Sequence, residues 1–180
     1  MRNKCIIVMV GPSGSGKTTV GEELTRRGIP KLVTTTTREP RAGEQDGIDY
    51  HFKKMEDMNP EDFIEQTIYN HKVYGLTKSE VSNALNIHDI VHVSLDRNGA
   101  EAMKNFFPNE TVVVFIHISK ETMIERMRKR GDSEEKIAER ISHSHENNEL
   151  IPPKETDLII ENIDVELTVQ EILLHLKLSV

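Results

Sequence analysis

The residues able to do chemistry gather in three places along the chain. Residues 11 to 18 read GPSGSGKT, which satisfies G-x-x-x-x-G-K-[ST] through Gly11, Gly16, Lys17 and Thr18. Glycines at these spacings let the backbone curl so that successive N–H groups converge, and the following helix adds its partial positive charge. Such a cradle suits nucleotide phosphates: Lys17 would reach the β- and γ-phosphates, and Thr18 would offer its hydroxyl to Mg²⁺. Pro12, Ser13, Gly14, Ser15 and Thr19 complete the expected nucleotide-binding stretch.

The second place is LVTTTTREPRAG, residues 32 to 43. Arg38 and Arg41 lie three apart with Pro40 stiffening the backbone between them. Two phosphates brought together repel unless cations sit between them, and arginine supplies that charge with a planar, bidentate fork. The pair therefore suits the phosphate of a small acceptor. Thr35 to Thr37 read equally well as ordinary edge-strand threonines. The third place is MIERMRKRGDSEEKIAER, residues 123 to 140, where bases and acids alternate. Arg126 and Arg130 share one helical face before Gly131, and Asp132-Ser133 restarts a helix towards Arg140.

The elements that must position these groups are legible in the apolar runs. Cys5–Val10, Ile90–Leu95, Thr111–Ile118 and Leu158–Ile160 read as strands, and Thr18–Arg27 as a helix. Asn59-Pro60-Glu61-Asp62 carries an N-cap, a helix-first proline and first-turn acids, so a helix is expected from residue 60. Thr77-Lys78-Ser79-Glu80 is a capping box for another. Val165, Val169, Ile172, Leu173 and Leu176 form a core-packing stripe. Continuous apolar strands alternating with helices imply an α/β fold with a parallel sheet covered on both faces, whose ligands sit at the carboxyl ends of the strands.

With 180 residues, 36% of them hydrophobic, one domain is expected. A net charge of -7 argues against nucleic-acid or membrane-surface partners, so any anion site is local. The Cys5–Val10 run is too short for a signal-peptide core, and no other stretch approaches membrane-spanning length. The lone cysteine, Cys5, fits a reducing, cytoplasmic location. His143 and His145 are two apart, so on a helix they diverge and give no zinc site.

GPSGSGKTT, TTTTREPRAGEQDGIDYHF, EDFIEQTIYNHKVYG, SLDRNGA and RMRKRGDSEEKIAER, in that order and across nearly the whole chain, resemble the guanylate kinase family. The resemblance implies a three-layer P-loop fold with a parallel central sheet, a small monophosphate-binding lobe (about 34–87) and a helical lid (about 126–140). The core would be 1–33, 88–125 and 141–180. It implies transfer of the γ-phosphoryl of ATP to GMP, with Mg²⁺, in a monomer or homodimer. Position by position, it makes Gly11 to Thr19 the ATP loop and gives Lys17, Arg38, Arg130 and Arg140 to catalysis. It assigns Thr34, Arg38, Arg41, Tyr50 and Tyr74 to the acceptor phosphate. Glu65 would accept from guanine N1 and the 2-amino group, and Asp96 would sit near that amino group.

The chain departs from the family pattern at three positions. Leu76 replaces a hydroxyl residue expected to face guanine O6; Thr77 follows it, open both to that contact and to a helix cap. Ser94 replaces an acid two residues before Asp96. Glu161 stands where an asparagine is expected near adenine, with Asn162 one residue later. Leu76 and Ser94 keep a broader acceptor range (dGMP, IMP, AMP) as the alternative, and a non-catalytic guanylate-kinase-like binding module is the contrasting class.

Overall fold

The structure is a computed structural model that describes residues 4–69, 71–146 and 148–177. In chain order its elements are β1 (Cys5–Val10), α1 (Lys17–Arg26), β2 (Thr35–Thr36), β3 (His51–Phe52), β4 (Phe63–Tyr69), β5 (Lys72–Thr77), α2 (Lys78–Ile87) and β6 (Ile90–Ser94). There follow α3 (Arg97–Phe106), β7 (Thr111–His117), α4 (Lys120–Lys129), α5 (Glu134–Glu146), β8 (Leu158–Glu161) and α6 (Val165–His175).

The central sheet runs β6-β1-β7-β8, every pair parallel. Its strands are apolar at successive positions because both faces are covered. Along β1, Ile6, Val8 and Val10 join Leu32, Val91, Val93 and Met103 on one face. Ile7 and Met9 join Val20, Leu24, Ile116, Val169 and Ile172 on the other. The period-two alternation of a strand thus feeds two separate cores from one six-residue run.

A second, mixed sheet runs β3-β2-β5-β4, with β2 and β3 parallel and the other pairs antiparallel. Here the expected helix from residue 60 is corrected. Asn59 does cap, its Oδ1 accepting from the Glu61 N–H at 3.3 Å, but only one 3₁₀ turn, Pro60–Asp62, forms before the chain enters β4. Pairing of β4 with β5 overrides the local start signal, and a bulge between Phe63 and Glu65 lets Phe63 and Ile64 both be buried.

The Thr77 cap of α2 forms as expected, accepting from the Glu80 N–H at 3.2 Å. The Glu80 carboxylate goes elsewhere: it accepts from the Val33 N–H at 2.7 Å and pairs with His51 Nε2 at 3.1 Å. The charge-rich segment is a helix-turn-helix, α4 and α5, turning through Gly131 at φ 90°. It has its own small core of Ile118, Met123, Met127 and Ile137.

Candidate active site

The phosphate loop sits at the carboxyl end of β1 and is held from behind. Gly16 begins α1 at φ 92°, a left-handed conformation that L side chains resist, and a Cβ there would collide with the Asn162 amide. Asn162, buried just beyond β8, donates from Nδ2 to the Ser15 carbonyl at 2.7 Å, while its Oδ1 accepts from Thr168 Oγ1 at 3.1 Å. Arg126 on α4 donates to the Asn162 carbonyl at 2.6 Å and to the Ser15 carbonyl at 3.4 Å. From α5, Arg140 donates to Ser13 Oγ at 2.6 Å. Arg130 pairs with Asp132, its Nε lying 3.1 Å from Oδ2.

Lys17 folds back onto the loop, donating to the carbonyls of Gly11 at 2.5 Å and Pro12 at 2.9 Å. Burial pulls its ammonium down to about 8, although Glu149 acts in the opposite direction. A cavity of about 550 Å³ opens here between Gly14, Gly16, Lys17, Thr18 and Thr19 on one side and Arg126, Arg130 and Asn162 on the other.

A larger cavity of about 1170 Å³ lies between the two sheets. Gly11, Ser13 and Lys17 line one side, Thr34, Tyr50, Glu65, Thr67 and Tyr74 the second-sheet side, and Ser94 and Asp96 the end of β6. The Tyr50 and Tyr74 rings meet edge to face, 6.1 Å between centroids. Burial, and then the neighbouring Asp96, push the Glu65 carboxyl up to about 7, against a backbone hydrogen bond from Leu76. Asp96 caps α3, with Oδ1 accepting from the Gly99 N–H at 2.8 Å, while Oδ2 accepts from Thr67 Oγ1 at 2.9 Å.

Neither Arg38 nor Arg41 lines this cavity. Both Arg38 terminal nitrogens hold Glu44, at 2.8 and 2.9 Å, and the guanidinium lies 5.3 Å from the Tyr50 centroid and 5.7 Å from that of Phe52. Glu44, and more weakly Tyr74, raise Arg38 above its ordinary value. The Arg41 N–H donates to Glu44 at 2.7 Å, and the residue itself is exposed. The Leu76–Thr77 corner faces away: Leu76 is fully buried in the core and the Thr77 hydroxyl is engaged in its cap, outside both cavities.

Three sets of contacts were not anticipated from the sequence. Glu44, three residues after Arg41, organises the arginine loop. Asn162 and Arg126 lock the phosphate loop, and Thr67 holds Asp96. Thr67 stands two residues after Glu65, and β4 puts both on one face, which the helix expected from residue 60 concealed.

A sequence model described as guanylate kinase matches residues 3–177. The guanylate kinase of Prochlorococcus marinus subsp. pastoris is 35% identical, covering 98% of this chain and all of that protein. That of Fusobacterium nucleatum subsp. nucleatum is 36% identical, covering 89% of each. The crystal structure of guanylate kinase from Anaplasma phagocytophilum superposes with a TM-score of 0.67 at 26% identity, covering 98% of this chain and 86% of that one.

Proposed function

The chain belongs to the guanylate kinase family, and we propose on that basis how its two cavities divide the reaction. It is an ATP-dependent nucleoside-monophosphate kinase that moves the γ-phosphoryl of ATP to GMP, giving ADP and GDP. In our reading the smaller cavity takes ATP along Gly11 to Thr19, and the larger takes GMP. What supports this most is that Ser13 and Lys17 line both cavities, so a donor and an acceptor phosphate would meet at one ammonium.

Each residue then has a role. Glu65 in its ionised form accepts from two adjacent donors on guanine, and Asp96 lies beside it. Thr34, Tyr50, Tyr74, Arg38 and Arg41 hold the acceptor phosphate. For Arg38 this means sharing or releasing Glu44, which already points its fork along the loop. Lys17, Arg130 and Arg140 neutralise charge on the transferring group, and in-line positioning does the rest. Closure of the α4–α5 hairpin as a lid would bring Arg130 and Arg140 onto the phosphates and exclude water.

Mg²⁺ is proposed to arrive with ATP. Among the described residues there is no cluster of three or more acids, histidines or cysteines able to cage a metal. The donor set at the loop is the Thr18 hydroxyl beside the phosphate-binding N–H groups, which fits an ion that keeps substrate phosphates and water as its other ligands. When bound, the ion would offset charge on the β- and γ-phosphate oxygens. A cytoplasmic monomer or homodimer without nucleic-acid or membrane partners completes the proposal; no helix among the described residues is long and apolar enough to cross a membrane.

The test is ADP release with ATP-Mg²⁺ and a panel of monophosphates. Turnover with GMP and dGMP, and little with IMP or AMP, is expected. Equal turnover with IMP would remove Glu65 and Asp96 as readers of the guanine amino group.

A further inference from the structure

Asp96 and Glu65 come from different parts of the fold: Glu65 from β4 in the second sheet, Asp96 from the turn between β6 and α3 in the core. The Thr67 hydroxyl lies between these parts. It sits two residues beyond Glu65 on the same strand face, lines the same cavity, and donates to Asp96 Oδ2 at 2.9 Å. The other Asp96 oxygen accepts from the Gly99 N–H. One backbone donor and one side-chain donor therefore fix both oxygens of the carboxylate, and the side-chain donor belongs to the opposite wall of the cavity.

We propose that Thr67 is a positioning residue for base recognition: its hydroxyl aims the Asp96 carboxylate at the guanine amino group and ties the second sheet to the core at that point. This deepens the reading of the larger cavity as the GMP site and rests on it. Without the hydroxyl, Asp96 would keep its cap to Gly99 but could rotate its second oxygen away from the base. Asp96, whose charge already disfavours ionisation of Glu65, would also lose one of the two donors that satisfy its carboxylate. The corner where a hydroxyl is expected, Leu76, is buried in the core. Of the hydroxyls on the wall that carries Glu65, which also include those of Thr34, Tyr50 and Tyr74, the Thr67 hydroxyl is the one that reaches Asp96.

The experiment measures GMP affinity calorimetrically, and kcat at saturating GMP, for Thr67→Val, Thr67→Ala, Thr67→Ser and Asp96→Asn. Thr67→Val and Thr67→Ala should weaken GMP binding by about tenfold, the scale of one hydrogen bond to a charged group, while kcat stays within about twofold. Thr67→Ser should restore wild-type affinity, and Thr67→Val should add little once Asp96→Asn is present. Unchanged GMP affinity in both Thr67→Val and Thr67→Ala would overturn the proposal. So would a Thr67→Ser variant as weak as Thr67→Val, because the hydroxyl would then not be the cause. If Asp96→Asn weakens GMP binding and Thr67→Val does not, only the positioning role falls. If Asp96→Asn itself leaves GMP binding unchanged, the base-site reading falls with it.

Discussion

Asn162 Nδ2 donates to the Ser15 carbonyl at 2.7 Å, joining the end of the last strand to a loop 147 residues earlier. The amide is buried, and its Oδ1 is engaged by Thr168. Asn162→Ala should therefore lower folding stability by about 1–3 kcal/mol, the cost of leaving buried partners unpaired. Because the freed group is a wall of the phosphate loop, KM for ATP should rise more than KM for GMP. Steady-state kinetics with each substrate varied separately distinguish the two effects.

Both terminal nitrogens of Arg38 are held by Glu44, which in the proposed acceptor site would share the guanidinium with the phosphate or release it. Arg38→Ala should reduce turnover by at least about a hundredfold, the scale of losing one preorganised charged contact. A near-normal rate would remove Arg38 from the acceptor site. The phosphate-free ligand guanosine should bind the variant and the parent equally, since the loss is confined to the phosphate.

Glu65 is pushed up to about 7 by burial and by Asp96, and as the proposed guanine acceptor it would link GMP affinity to pH. Only the carboxylate can accept from two guanine donors, so GMP affinity should fall by about tenfold per pH unit below about 7. Stability runs the other way. A carboxyl whose folded value exceeds its ordinary 4.5 stabilises the fold in its protonated form, fully below 4.5, and this is lost as pH rises through about 7. At pH 8, Glu65→Gln should thus be more stable by an amount on the order of 2 kcal/mol, yet bind GMP poorly. Thermal unfolding and calorimetry on the same samples check both signs.

Lys17 sits near 8 because burial disfavours its charge. Phosphates would restore that charge, so ATP binding at pH 8.5 should take up a proton. Calorimetry in buffers of different ionisation enthalpy reads the uptake directly. Lys17→Met should show none from this group and no measurable turnover.

Much of this was legible in the sequence where local chemistry and local structure coincide. The GPSGSGKT loop needs only glycine conformations, a lysine and a following helix, all contiguous. The runs at Cys5–Val10 and Thr111–Ile118 announce buried parallel strands because two covered faces leave no room for polar alternation. The Thr77 cap and the α4–α5 turn at Gly131 likewise follow from short-range rules. The sequence alone thus determined the glycine-rich loop, the α/β class and the family resemblance, on which the proposed roles of Arg38 and Arg41 rest.

Tertiary structure decided what depends on residues far apart in the chain. The segment after Asn59 carries a helix start signal, but its partner strand β5 offered a ladder of hydrogen bonds that one local cap could not match. Glu65 therefore faces the cavity from a strand. Thr77 caps α2 by accepting from the Glu80 N–H and lies outside both cavities, a placement fixed by how β5 packs. The Asn162–Ser15, Arg126–Asn162 and Thr67–Asp96 hydrogen bonds have no short-range signature, because each exists only once separate sheets or helices have packed. Contiguous sequence can specify a phosphate cradle, but the walls that hold it and aim its neighbours are made by long-range contact.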